Sequence, residues 1–203
     1  MKNSSTRLFV TLQGILIGFS EIIHGAFEIK RGNIPTEGFL LKSVGACTII
    51  PNYLITGIVS VIIGIAIILW TSYSIHKKNG PSIYLLLSVI SFFVGGGVAQ
   101  TIFFCMTWGV STRITKPLTW WGKILSVNVR ETLSKFWLLT MILAYSFISF
   151  GVAIWLILLP PTESIKNLVV QYICWSLLII GIIFQIIAII SGFARDIEKR
   201  QTI

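Results

Sequence analysis

Three ionisable residues stand where a largely apolar chain has little reason to keep them: Glu21, His24 and Glu28. Spaced i, i+3, i+7, they fall within about 60° of one helical face at about 100° per residue. Gly14, Gly18, Gly25 and Gly32 lie on or beside the same stripe, so the face also lets a second helix approach closely. Leu16, Ile23 and Phe27 occupy the opposite face. Two carboxyls and an imidazole can bind a cation, pass protons or, with ligands from elsewhere, hold a divalent metal. In apolar surroundings an ionised carboxylate is costly, about 3 kcal/mol on the lenient insertion scale. The stripe is therefore expected to face protein or water, with Glu21 held neutral by a proton unless a cation or His24 pairs with it. Two duller readings remain open. Glu28 is an interfacial residue paired with a nearby base, or Glu21 is a neutral strut bonded to His24 or Asn52.

The setting is a membrane. Of 203 residues, 55% are hydrophobic and 11% charged, and mean hydropathy is +0.88. A soluble domain carries about a quarter charged residues, so a soluble enzyme, a disordered tail and a coiled coil are excluded. The stretches 43–76, 79–112, 136–162 and 167–194 contain no charge. Each exceeds the roughly 20 residues needed for one helical crossing, and none alternates with the period of a membrane barrel strand. Residues 8–29 form a fifth candidate. Lys2 and Arg7 before it also suit a signal peptide, but no small-x-small cleavage site follows.

The expected fold is all-α: a multi-pass transmembrane bundle without a sheet, one domain of about five crossings at 8–29, 52–75, 83–110, 136–159 and 168–194. Asn79-Gly80-Pro81 marks a turn and Pro160-Pro161 a stop, because proline cannot donate to a helix. Pro51 suits the start of the second span. The piece 38–50, apolar but interrupted by Lys42, reads as interfacial or partly re-entrant. In the loop 111–135, Trp120 and Trp121 sit beside Lys116 and Lys123, and Leu125, Val129, Leu133 and Phe136 recur at helical spacing. That predicts an amphipathic helix on the membrane surface.

Five crossings put the termini on opposite sides. One side would hold Lys2, Arg7, Lys77, Lys78 and Lys166. The other would hold Lys30, Arg31, Lys42, Arg113, Lys116, Lys123, Arg130, Lys135, Arg195, Lys199 and Arg200. The positive-inside rule then predicts a cell-membrane protein with its N-terminus outside and its C-terminus cytoplasmic. The net charge of +9 reads as topology signal and attraction to the lipid bilayer, with no aromatic-interleaved groove for nucleic acid. A homo-oligomer or larger membrane complex is compatible with the pattern.

In this arrangement the polar stripe lies in the cytoplasmic half of span one. Asn52, Tyr53 and Thr56 from span two, Gln100, Thr101, Thr107 and Arg113 from span three, and Gln185 and Ser191 from span five are its candidate neighbours. Glu21, His24, Glu28, Asn52, Gln100 and Arg113 form the expected ligand or ion site, with Arg113 or Lys42 neutralising Glu28. No catalytic motif is legible. Cys47, Cys105 and Cys174 form no Cys-x-x-Cys, His76 is too far from His24 to share a haem, and Gly95-Gly96-Gly97 lies within an apolar run and not between a strand and a helix, which suits close packing or a kink. No metal or cofactor is assigned. Two functions fit: a small transporter, channel or transport-complex subunit, or a non-catalytic membrane subunit or lipid-like ligand binder in which the stripe is structural. A membrane enzyme is the weaker third.

Overall fold

The structure, a computed structural model, describes residues 3–41, 45–158 and 168–201. Lys42, the Pro160-Pro161 stop and Lys166 lie outside the described residues. The chain is mostly helical, 78%, and four helices are long and apolar enough to cross a membrane: Ser4–Arg31, Tyr53–Tyr73, Val127–Ile154 and Leu168–Gln201. It divides into two compact units, Met1–Lys116 and Pro117–Ile203.

The first unit is built on α1 (Ser4–Arg31) and α2 (Tyr53–Tyr73). They run antiparallel, because Gly14 meets Thr71 while Gly25 meets Gly57. The expected glycine stripe makes the contact. A Cβ on Gly18 would stand 2.6 Å from the Gly64 carbonyl, and one on Gly25 2.6 Å from that of Gly57. The reverse contacts, Gly57 to Gly25 and Gly64 to Gly18, are equally close at 2.5 and 2.6 Å. The two backbones therefore touch, which any side chain at these positions would prevent. Leu16, Phe19, Ile23 and Phe27 are left exposed on the outer face of α1, as the stripe pattern predicts.

Residues 83–110 do not form one helix. They divide into α3 (Gly80–Phe93), β3 (Val94–Gly97) and α4 (Gln100–Ser111). The Trp70 indole donates to the Gly80 carbonyl at 2.9 Å, so α3 starts beside the end of α2. The Asn3 amide donates to the Ile114 carbonyl at 2.8 Å, so the chain after α4 returns to the start of α1. Tyr84 and Phe104 face one another with ring centroids 6.2 Å apart. The segment is a helical hairpin, and the chain enters and leaves this unit at the same end. At 14 and 12 residues, α3 and α4 rise only about 21 and 18 Å, each short of the roughly 30 Å hydrocarbon core.

The tip of the hairpin also corrects the expectation of no sheet. β1 (Leu40–Leu41), β2 (Ala46–Thr48) and β3 form a three-stranded antiparallel sheet in that order. Leu40 pairs with Cys47, Ala46 with Gly97 and Thr48 with Val94. Between the last two pairs β3 carries one more residue than β2, a bulge, with Gly95 at φ 115°. That positive φ is strained for any residue with a Cβ. Strands this short show no period-two pattern, so only their pairing defines them.

In the second unit α6 (Val127–Leu158) and α7 (Leu168–Gln201) are antiparallel. Arg130 bonds Glu198, Phe147 stacks on Phe184 with centroids 5.7 Å apart, and Gly151 meets Leu177 and Leu178. This unit too is entered and left at one end. The predicted surface helix in 111–135 is corrected: residues 127–136 are the first turns of α6, and only α5 (Thr119–Ile124) stands apart. A surface helix and the start of a packed helix have the same apolar periodicity. Here the polar side of that segment meets α7, where Arg130 Nε lies 2.7 Å from Glu198 Oε1.

Candidate functional site

The stripe on α1 faces the interior of the first unit. Glu21 and Glu28 are both 0% exposed, and His24 is half-buried. All four carboxylate oxygens lack a hydrogen-bond partner among the described residues. The Ser91 hydroxyl of α3 lies close to Glu21 but outside hydrogen-bond geometry. The expectation that the stripe faces inward is met, and Ser91 supplies the expected polar group from another helix within reach of Glu21. Glu28 is not in an interfacial salt bridge. The ion pairs of the described residues include Arg31 with Glu37 at 3.7 Å and Arg130 with Glu198, neither of which involves Glu28.

What meets the stripe is the hairpin tip. A Cβ on Gly95 would come within 2.8 Å of Glu28 Oε2 and 2.6 Å of Ser60 Oγ, and one on Gly97 within 3.4 Å of His24 Nε2. Gly95 thus lets backbone lie against Glu28 where a larger residue would push it away, whereas a Cβ at Gly97 would make ordinary contact with His24 and one at Gly96 would meet Ser91. The surrounding hydroxyls hold the tip in place. Ser60 donates to the Val94 carbonyl at 2.7 Å, Thr56 and Thr48 share a 3.2 Å bond, and Thr56 also donates to the Ile50 carbonyl at 3.3 Å.

The other expected site residues separate. Gln100, at the start of α4, belongs to the site: its side-chain amide donates to Ser20 on α1, and its carbon atoms border Gly97. Thr56 also joins. Asn52 does not. It caps α2 by accepting from Ile55 N–H at 3.1 Å and donates to Asn33 at 2.6 Å, the work of a helix N-cap. Arg113 is at the wrong end. Its carbonyl accepts from the Asn3 side chain at 2.6 Å, about 37 Å of helix rise from Glu28. A single crossing over 83–110 would have carried Arg113 to the Glu28 end; the reversal at β3 returns it to the start of α1. Gln185 and Ser191 belong to the second unit. Thr48, Ser60 and Ser91 were not singled out from the sequence. Ser60 is legible as the i+4 companion of Thr56 beside Gly57 and Gly64, and Ser91 as the i+3 companion of Ser88; Thr48 is placed only by strand pairing.

Chemically, the arrangement offers two buried glutamates whose Cα atoms are about 10 Å apart along one helix, a histidine between them on the same face, and non-helical backbone against Glu28 and His24. Among the described residues no group of three or more His, Cys, Asp or Glu is placed to hold a metal ion. No family model, curated protein or solved structure matches this chain, so the reading of the site rests on its own geometry.

Proposed function

We propose that the chain is a small membrane transporter, channel or transport-complex subunit, with Glu21, His24 and Glu28 as its ion-handling groups. One observation carries this reading: two fully buried carboxyls, whose oxygens form no hydrogen bond of standard geometry among the described residues, face a hairpin of short apolar helices, Glu28 against its non-helical tip and Glu21 beside Ser91. Non-helical backbone at membrane depth is tolerated where it is buried in protein or lines a cavity, and interrupted helices meeting a polar site are a recurrent way to build ion sites in transporters. Ionisable groups at such depth are functional by default.

The same geometry favours an even number of crossings with both termini in the cytoplasm. Arg7, Lys77, Lys78, Arg113 and Lys116 gather where the first unit is entered and left; Lys30 and Arg31 are at its other end. Lys123, Arg130, Lys135, Arg195, Lys199 and Arg200 flank the end of the second unit where α6 begins and α7 finishes. Counted within each unit and among the described residues, five Lys and Arg gather at one end of the first unit against two at the other, and all six of the second lie at one end, so the positive-inside rule assigns each basic end to the cytoplasm on its own count. The Glu21–Glu28 site then belongs to the outer half of α1. Impermeant thiol labelling of Lys2→Cys, Thr202→Cys and Glu37→Cys in intact cells tests this. Only the last should react; labelling of one terminus alone restores an odd number of crossings.

The alternative is a non-catalytic subunit in which the stripe is structural, and the backbone contact of Gly18 and Gly25 with Gly64 and Gly57 supports it. Ion flux into liposomes carrying the purified chain separates the two. Glu21→Gln and Glu28→Gln should abolish flux and keep the fold if the stripe handles ions. Unchanged flux in both variants returns it to a packing role.

A further inference from the structure

We propose that the ion handled at this site is the proton, passed along α1 between Glu21, His24 and Glu28 and closed off from larger cations by the glycine tip of the hairpin. The inference rests on the transport reading above. Its first support is spacing. Positions three and four apart on a helix are neighbours, so His24 shares a face with both glutamates, one turn from each, while the Cα atoms of Glu21 and Glu28 are about 10 Å apart along the axis. A hard cation needs several oxygens within about 2.6 Å, and among the described residues no group of three or more His, Cys, Asp or Glu is placed to hold one. The two carboxyls can exchange a proton through the imidazole.

The second support is what surrounds them. Among the described residues α2, α3, α4 and the strands contain no Lys or Arg. The titratable groups these elements carry are Tyr53 and Tyr73 in α2, Tyr84 in α3, Cys47 in β2 and Cys105 in α4; β3 carries none. On α1 itself Lys30 is exposed. Arg31 lies over the Tyr53 ring, 4.7 Å from its centroid, pairs with Glu37, and its charge also reaches Glu28 one turn away. Burial of an unpaired carboxylate costs several kcal/mol, and the neutralising species that needs neither a counter-charge nor a coordination shell is a proton.

The third support is space. Glu28, Ser60 and Thr56 already crowd the position of a Gly95 Cβ at 2.6–2.8 Å, and the Ser60 and Thr56 hydroxyls are committed to the Val94 and Ile50 carbonyls. In the transfer, side-chain rotation first brings a Glu21 carboxyl oxygen, which is not hydrogen-bonded to His24 in this structure, to one ring nitrogen of His24, and the proton passes to that nitrogen. The other ring nitrogen releases its proton to a Glu28 carboxylate oxygen. The carboxyls exchange charge, His24 ends neutral with its tautomer reversed, and a ring flip resets it.

The test uses the full chain in liposomes with an interior pH dye and a potassium diffusion potential. Interior pH should follow the potential, unchanged when choline replaces sodium, and the rate should fall about a hundredfold in Glu21→Gln and in Glu28→Gln, the scale of losing a positioned acid–base group. Infrared spectra of the wild type should show protonated-carboxyl C=O bands that respond to pH steps, one lost in each Gln variant. Sodium or calcium entry at constant interior pH overturns the proton and leaves the transport reading standing. Absent flux with carboxyl bands that pH does not move overturns both. Absent flux with pH-responsive bands upholds the proton and makes the chain one subunit of a larger carrier. The sodium and calcium arms use the wild type, so no variant needs to fold for the proposal to fail.

Discussion

The two units solve the same packing problem with different polar interiors. In the second, Trp137, Met141, Ala144, Cys174, Ala188 and Ala194 are buried, Phe147 stacks on Phe184, and the buried polar groups include Thr140, Gln185, Ser191 and Asp196. Its buried cation, Arg130, is fully engaged: it donates to Glu198 at 2.7 Å and to Gln201 at 3.0 Å. In the first, the buried set includes Glu21, Glu28, Thr48, Thr56, Ser60, Ser91, Gln100 and Thr107, while the large apolar side chains Leu16, Phe19, Ile58, Ile62 and Ile65 are exposed. Its carboxylates have no partner among the described residues. A polar interior with satisfied groups holds a fold together; one with unsatisfied carboxyls is the kind kept for chemistry.

The contrast breaks most completely at Gly25. Gly25→Leu drives a side chain into the Gly57 carbonyl, 2.6 Å from the new Cβ. Backbone cannot step aside as a side chain can, so the variant should lose the folded first unit, at or above the usual 1–3 kcal/mol of overpacking. Thermal unfolding in detergent followed by circular dichroism is the readout; a melting curve like the wild type's would mean α1 and α2 are not in backbone contact. Gly95→Ala comes next. It combines a positive φ with a Cβ 2.8 Å from Glu28 Oε2, and should cost about 1–3 kcal/mol and eliminate ion flux. Retained flux would separate the hairpin tip from the site.

In the second unit Arg130→Met removes the partner of Glu198, whose side chain is 23% exposed. Partial solvation limits the loss to about 1–2 kcal/mol, and a stability drop without any change in flux would sharpen the division of labour between the units. Ser60→Ala deletes the 2.7 Å bond to Val94, for about 1 kcal/mol and a measurable slowing of flux. The smallest effect belongs to Gly122→Ala, where nothing lies within 4 Å of the new Cβ; stability should stay within about 0.5 kcal/mol of the wild type, and a larger loss would show that the surroundings of α5 are misread.

Much of the first unit was legible in the sequence because the bilayer acts locally, residue by residue. Unbroken apolar runs mark α2, α6 and α7, and an apolar stretch interrupted by Gln13, Glu21, His24 and Glu28 marks α1. The i, i+3, i+7 stripe with Gly18 and Gly25 identifies the inward face of α1, and Leu16, Ile23 and Phe27 its outward one. Hydropathy does not record direction. The run 79–112 has the same composition whether it crosses once or turns back, so the reversal at Val94–Gly97, the placement of Arg113 beside Asn3 and the balance of charge between the two ends follow from long-range contacts. β3 pairs with β2, which lies almost 50 residues earlier in the chain, and Gly95 leaves no room for a Cβ beside Glu28 and Ser60. The amphipathic pattern ahead of α6 is silent in the same way, since lipid surface and α7 ask for the same periodicity. The sequence by itself determined which faces avoid lipid, because solvation acts on each side chain separately. Only the tertiary structure decided what those faces meet, because strand pairing and backbone contact join residues that no local pattern relates.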